Sequence, residues 1–142
     1  MFRGRLLRAL LRALDRLTPA RGRAAHLETG ARGEDEAYFH LRRLGYVMVA
    51  RNFRSPRRKG ELDLVGWDGG TLCFVEVKTR TTRDVKPAEA AVDEDKQSEL
   101  AVMAGEYMRR MTDKPPFRFD VVSVYYEGGE KEINLYKGAF GG

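Results

Sequence analysis

Between residues 61 and 80 the chain reads ELDLVGWDGGTLCFVEVKTR, an alternation of apolar and polar positions broken once at Asp68-Gly69-Gly70. A period of two with that turn signal predicts two strands joined as a hairpin. Side chains alternate across a strand, so Glu61, Asp63 and Val65 share one face of the first, and Leu72, Phe74, Glu76 and Lys78 one face of the second. On either side the period lengthens. From about Leu27 to Leu44, Ala37, Leu41 and Leu44 recur at helical spacing and Gly45 is placed to stop the helix; Glu34 falls on the same inward face. Residues 88 to 111 predict a longer helix, with Val92, Lys96, Leu100, Met103, Tyr107 and Met111 on its inner stripe. YVMVARNF (46 to 53) and RFDVVSVYY (118 to 126) read as strands, EGGEK as a turn, and INLY as a short last strand. The order α-β-β-β-α-β-β predicts an α/β domain, a central mixed sheet flanked by helices.

Charge changes the picture at the N-terminus. Residues 1 to 26 hold seven Arg against Asp15 alone, a net of +6, so of the overall +5 the rest of the chain carries −1. Leu6, Leu10, Leu14 and Leu17 lie on one side of a helix and Arg5, Arg8, Arg12 and Arg16 on the other, ending near Thr18-Pro19. We therefore divide the chain into an Arg-rich amphipathic extension, 1 to 26, and a single folded domain, 27 to 142. The extension suits a docking helix, an arm for phosphates or acidic lipid, a poorly ordered tail or a mitochondrial presequence. Its longest apolar run is too short for a secretory signal or a membrane span. One cysteine, Cys73, excludes a disulfide framework and a cysteine zinc site, which fits a reducing, cytoplasmic setting. His26 and His40 lack triad spacing, and neither GxxxxGK nor GxGxxG occurs.

The middle of the hairpin carries the chemistry. An unpaired charge on an apolar strand face costs several kcal/mol and persists when paired or bound to a metal. Asp63 and Glu76 offer hard oxygen ligands suited to Mg²⁺ or Mn²⁺, and Lys78 could meet a phosphate or position a water. A buried ion pair of Lys78 with Glu76 or Asp63 explains the same residues without catalysis, and both readings stay open. The loop before Asp63 gathers Arg51, Arg54, Arg57, Arg58 and Lys59 around Pro56 and Gly60.

Asp63, a gap, then Glu76-x-Lys78 resembles the signature of the PD-(D/E)xK nuclease superfamily. The words GARGE from Gly30, LRRLGY (41 to 46), RNFR (51 to 54), GELDLV (60 to 65), FVEVKTR (74 to 80), PAEAAV (87 to 92), KQ (96 to 97) and RFDVV (118 to 122) together resemble the YraN-type family of predicted endonucleases, itself similar to archaeal Holliday-junction resolvases. The likeness runs from about Gly30 to Val124. It implies a restriction-endonuclease-like α-β-β-β-α-β core and a Mg²⁺- or Mn²⁺-dependent endonuclease acting on DNA, branched or damaged DNA included. It further implies Asp63, Glu76 and Glu34 as metal ligands, Lys78 as the catalytic lysine, and Glu61 and Lys96 in support. Arg51, Arg54, Arg57, Arg58, Lys59 and Arg80 are the expected phosphate contacts, and a homodimer is possible. This chain departs from the pattern after Gln97, with Ser98 and Glu99, and sets Asp93, Glu94 and Asp95 before Lys96. These acids are expected to weaken phosphate contact along that helix. Two rivals stand beside the nuclease: a nucleic-acid-binding protein that retains the fold without catalysis, and a membrane-surface or docking module driven by the Arg-rich arm.

Overall fold

The computed structural model describes residues 20–81 and 92–141, with side chains from Glu28 onward. Residues 1–19 of the arm and the start expected for the second helix lie outside the described residues. Within them the elements are α1 (Ala20–Arg43), β1 (Val47–Phe53), β2 (Leu62–Asp68), β3 (Thr71–Arg80), α2 (Glu94–Met108), β4 (Phe117–Glu127) and β5 (Glu130–Phe140). The five strands lie in sheet order β1-β2-β3-β4-β5. β3 and β4 run parallel, and the other neighbours are antiparallel. The parallel pair requires a crossover, and α2 lies within it. This is the α/β, restriction-endonuclease-like core, a mixed sheet with helices on both faces.

Alternation sorts the apolar residues between two cores. Leu64 pairs with Val75, and Val65 with Phe74. Leu64, Cys73, Val75, Val122 and Val124 pack with Ala37 and Leu41 of α1. Val65, Leu72, Phe74 and Val121 pack with Leu100, Met103 and Ala104 of α2. Each fully buried large apolar side chain contributes about 1.5–3 kcal/mol, so both helices are held by their stripes more than by helical propensity. Among the described residues, no helix is long and apolar enough to cross a membrane.

Three boundaries differ from expectation. α1 begins by Ala20 and ends at Arg43, so Leu44, expected on the inner face, is exposed. The helix closes there because Gly45 takes φ 97°. Its N–H donates to Arg42 O and that of Tyr46 to Leu41 O, both at 3.0 Å, capping the last carbonyls. α2 starts at Glu94 because Asp93 caps it, its carboxylate accepting from Lys96 N at 2.8 Å. β5 is far longer than INLY. Beyond Tyr136 it resumes pairing after a register shift, placing Phe140 opposite Phe119 with the rings stacked at 5.0 Å.

That irregularity accommodates a polar knot at the hairpin-turn end of the sheet. Asp120, with no solvent exposure, accepts from Tyr46 Oη at 2.9 Å, Arg118 Nε at 2.8 Å and Gly138 N at 3.0 Å. Arg118 Nη2 also donates to Asp68 at 2.6 Å, which Lys137 reaches at 3.0 Å.

Candidate metal centre

At the other end of the sheet the β2–β3 ladder stops at Leu64 and Val75. The next residue, Asp63, takes over with its side chain: Oδ2 accepts from Val77 N at 2.9 Å, where a strand carbonyl would otherwise serve. Strand alternation breaks here, since Leu62 joins the α2-side core while Leu64 joins the α1-side core.

Two further carboxylates arrive from different elements. Glu61 immediately precedes β2, and Glu34 comes from α1. One oxygen from each of Glu34, Glu61 and Asp63 lies within 4.8 Å of the others. Glu34 is fixed by Asn52 Nδ2, which donates to Oε1 at 2.8 Å. Asn52 is buried and left-handed, φ 49°, a conformation asparagine tolerates better than most residues. The preceding residue, Gly33, lets α1 approach β3: a Cβ there would sit 1.9 Å from Thr79 Oγ1. Helix and strand touch at this point, and Glu34 is carried to the sheet edge.

Crowded like charges set the electrostatics. Burial, and then the neighbouring Glu76, hold the Asp63 carboxyl well above the usual range despite the Val77 hydrogen bond. Glu61 is pushed up to about 7, first by burial, then by the charge of Asp63, with Asn52 and Arg54 working against Glu34. Glu61 Oε1 is buried and accepts no hydrogen bond. A partnerless buried oxygen among three hard donors fits a small divalent cation, which would relieve the repulsion that Arg54 and Lys96 offset only in part.

Glu76 stands beside this group. It is buried, with Lys78 Nζ and Lys96 Nζ each 3.8 Å from its oxygens, at ion-pair rather than hydrogen-bond distance. Its Oε2 has no hydrogen-bond partner. Burial opposes the Lys96 ammonium, but Glu76 and Glu99, the latter at 2.9 Å, outweigh it and raise its pKa. The ion-pair arrangement of Glu76 with Lys78 thus adjoins a carboxylate trio with metal-ligand spacing; the two readings of the hairpin charges are neighbours, not alternatives.

The basic residues divide. Arg51 is occupied on the α1 side, donating to Asp35 at 2.7 Å and lying 5.0 Å over the Tyr38 ring. Arg80 donates to Thr79 O at 3.1 Å. Arg54 and Arg57 line a cleft of about 440 Å³ between the β1–β2 loop and the end of α2. Arg58 reaches the same place, 4.0 Å from Glu106, and Lys59 is exposed. Asp93, expected to repel phosphate, is the cap of α2, and Glu94 and Asp95 occupy its first turn, where the helix dipole favours acids. Sequence reasoning missed Asn52, whose only signal was an asparagine at a strand end. It also missed Glu106, Arg109 and Arg110, which meet the loop through tertiary packing alone.

Residues 33–124 match the family described as uncharacterised protein family UPF0102. That span contains Glu34, Glu61, Asp63, Glu76, Lys78 and Lys96. Over 130 residues the chain is 52% identical to a UPF0102 protein of Koribacter versatilis, covering 92% of this chain and 91% of the relative. A UPF0102 protein of Solibacter usitatus is 47% identical over 132 residues, 92% of this chain and 97% of its own. One from Symbiobacterium thermophilum is 47% identical over 96 residues, 67% and 80%.

Proposed function

The chain belongs to the UPF0102 family, and from this premise and the acidic cluster we propose that it is a metal-dependent endonuclease hydrolysing phosphodiester bonds in DNA, branched or damaged DNA included. One observation carries the reading: Glu34, Glu61 and Asp63 converge within 4.8 Å although each is a like charge to the others, and a buried Glu61 oxygen is left without a partner. A fold keeps such a cluster at a cost in stability when a cation is its partner.

Glu34, Glu61 and Asp63 would hold Mg²⁺ or Mn²⁺. Bound there, the ion would supply Lewis acidity to a phosphate oxygen and lower the pKa of a water. The chain's own groups have separate tasks. Asp63 is fixed by the Val77 amide and Glu34 by Asn52, so two of the donors are oriented before any ion arrives. Lys78 and Lys96 place positive charge beside the trio, with Glu76 holding both ammonium groups near one point. From there Lys78 would meet a non-bridging phosphate oxygen or orient the attacking water. Glu76 acts on Asp63 from outside the trio that meets within 4.8 Å.

A second reading, a nucleic-acid-binding protein without catalysis, is favoured by the two lysines already on Glu76. Calorimetric titration with Mn²⁺ and Mg²⁺, on wild type and on Glu61→Gln with Asp63→Asn, separates the two, alongside cleavage of supercoiled plasmid and four-way-junction DNA. The expected result is metal binding lost in the variant and metal-dependent cleavage reduced by more than about 100-fold, beyond what loss of a supporting group costs. A folded wild type that binds neither ion, or cleavage that survives in the variant, overturns the nuclease.

A further inference from the structure

The cleft beside Arg54 has a construction that the acidic cluster does not explain. Its two walls come from elements distant in sequence. Arg54 and Arg57 stand on the loop after β1, and Arg109 and Arg110 follow the end of α2. Arginines at a helix C-terminus complement its dipole and need no ligand for that. Arg57 has no such reason to stand in the same space, and Arg54 beside it also feels the Glu61 carboxylate. Between them stands one carboxylate, Glu106, its side chain only 11% exposed. It lies 3.6 Å from Arg109 Nη1 and 4.0 Å from Arg58 Nε, and it accepts from Ser55 Oγ at 3.1 Å. Arg110 lies over the rings of Phe53 and Tyr107, at 4.9 and 5.5 Å. Stacking uses the face of a guanidinium and leaves its edge N–H donors for an anion. Positive charge therefore exceeds negative in the cleft, on side chains that packing has partly ordered.

We propose that this cleft is a second contact site for the nucleic-acid backbone, a clamp in which Arg54, Arg57, Arg109 and Arg110 hold successive phosphates next to the one at the acidic cluster, Arg57 and Arg109 on different phosphates, with Glu106 as the positioning residue. The inference rests on the nuclease reading for the identity of the polyanion. The two sites share a short piece of chain: Asn52, which fixes Glu34, is followed directly by Phe53 and Arg54. Planar guanidiniums match phosphate oxygens in bidentate fashion. Ser55 and Glu106 are already bonded to each other, so the cleft supplies position without reading base edges.

The test measures binding of the full chain to a short dye-labelled DNA duplex by fluorescence anisotropy in EDTA, across a range of salt concentrations. Arg57→Ala with Arg109→Ala is expected to make the slope of log K against log salt shallower by about 1.8, about 0.9 for each phosphate no longer neutralised. Arg57 is exposed and outside both cores, so Arg57→Ala alone folds and carries half of that change, about 0.9. Glu106→Gln is expected to weaken binding with the slope nearly kept, because no cation is removed. Lys137→Ala, an equal change of charge at the opposite end of the sheet, should leave the slope where it was. An unchanged slope in Arg57→Ala, or an equal change in Lys137→Ala, overturns the clamp. Slopes that behave as expected in a protein that never cuts DNA would uphold the clamp and sink the nuclease.

Discussion

Asp63, half-buried, and Asp120, fully buried, are aspartates on the same sheet, and they are treated in opposite ways. Asp120 receives a tyrosine hydroxyl, a guanidinium and a backbone amide, and the arginine that serves it is itself anchored to Asp68. Asp63 receives one backbone amide and stands among Glu34, Glu61 and Glu76, with the Lys96 ammonium the smallest of the influences on it. A buried charge whose partners are all supplied from within is a fastening. A carboxylate crowded mainly by others of its own sign marks a place where the chain is incomplete by itself. The contrast separates structure from function without reference to any relative.

The sharpest way to break this comparison is to remove Asp120. Asp120→Ala removes the acceptor of the Tyr46 hydroxyl, of Arg118 Nε and of the Gly138 amide, and it is expected to cost about 3–5 kcal/mol in urea denaturation. Metal affinity of the fraction that remains folded should be unchanged, and a loss below about 1 kcal/mol would mean that the knot is not a fastening. Gly33→Ala is expected next in size. A Cβ 1.9 Å from Thr79 Oγ1, and 2.9 Å from Thr79 Cβ, cannot be relieved by rotating the threonine alone. The helix must move away, at about 1–3 kcal/mol, taking Glu34 with it, so metal affinity should fall together with stability. Equal affinity in the variant would show that Glu34 is dispensable.

The smallest effect has the opposite sign. Glu61 titrates at about 7 in the fold against an ordinary 4.5. The folded chain then holds a proton that the unfolded chain has released, so stability falls as pH rises from about 4.5 through about 7. Glu61→Gln is therefore expected to raise stability at pH 8 by roughly 0.5–2 kcal/mol while removing metal binding, the trade that active sites commonly make. Below pH 4.5 the gain should vanish. Thermal melts across pH check it, and a variant less stable than wild type at pH 8 would place Glu61 among the fastenings.

Much of this architecture was legible as period. The change from 3.6 to two and back gave the element order, and alternation placed Val65, Leu72 and Phe74 on faces that the fold buries. The inward placement of Asp63 and Glu34 was legible because polar residues interrupt an apolar face. What escaped was set by contact between distant segments. Glu61 looked secondary because a residue just ahead of a strand has no face until the strand's neighbours fix it. Asn52 acts through a left-handed backbone, which a run of β-formers conceals. The length of β5 was hidden because its last residues are polar or small and are drawn into the sheet by Phe119 and Asp120. Arg109 and Arg110 read as ordinary helix-end cations until the β1–β2 loop is folded against them.

Asp63 also has a second occupation. Its carboxylate closes the ladder between β2 and β3 by capping the Val77 amide, so it mends the sheet whether or not an ion is present. Selection on folding alone would preserve it, and a descendant that had lost all chemistry would keep it still. Glu61, which burdens the fold and satisfies no backbone group among the described contacts, has no such protection. In sorting working members of such a lineage from retired ones, the glutamate two positions before the aspartate is the more informative letter.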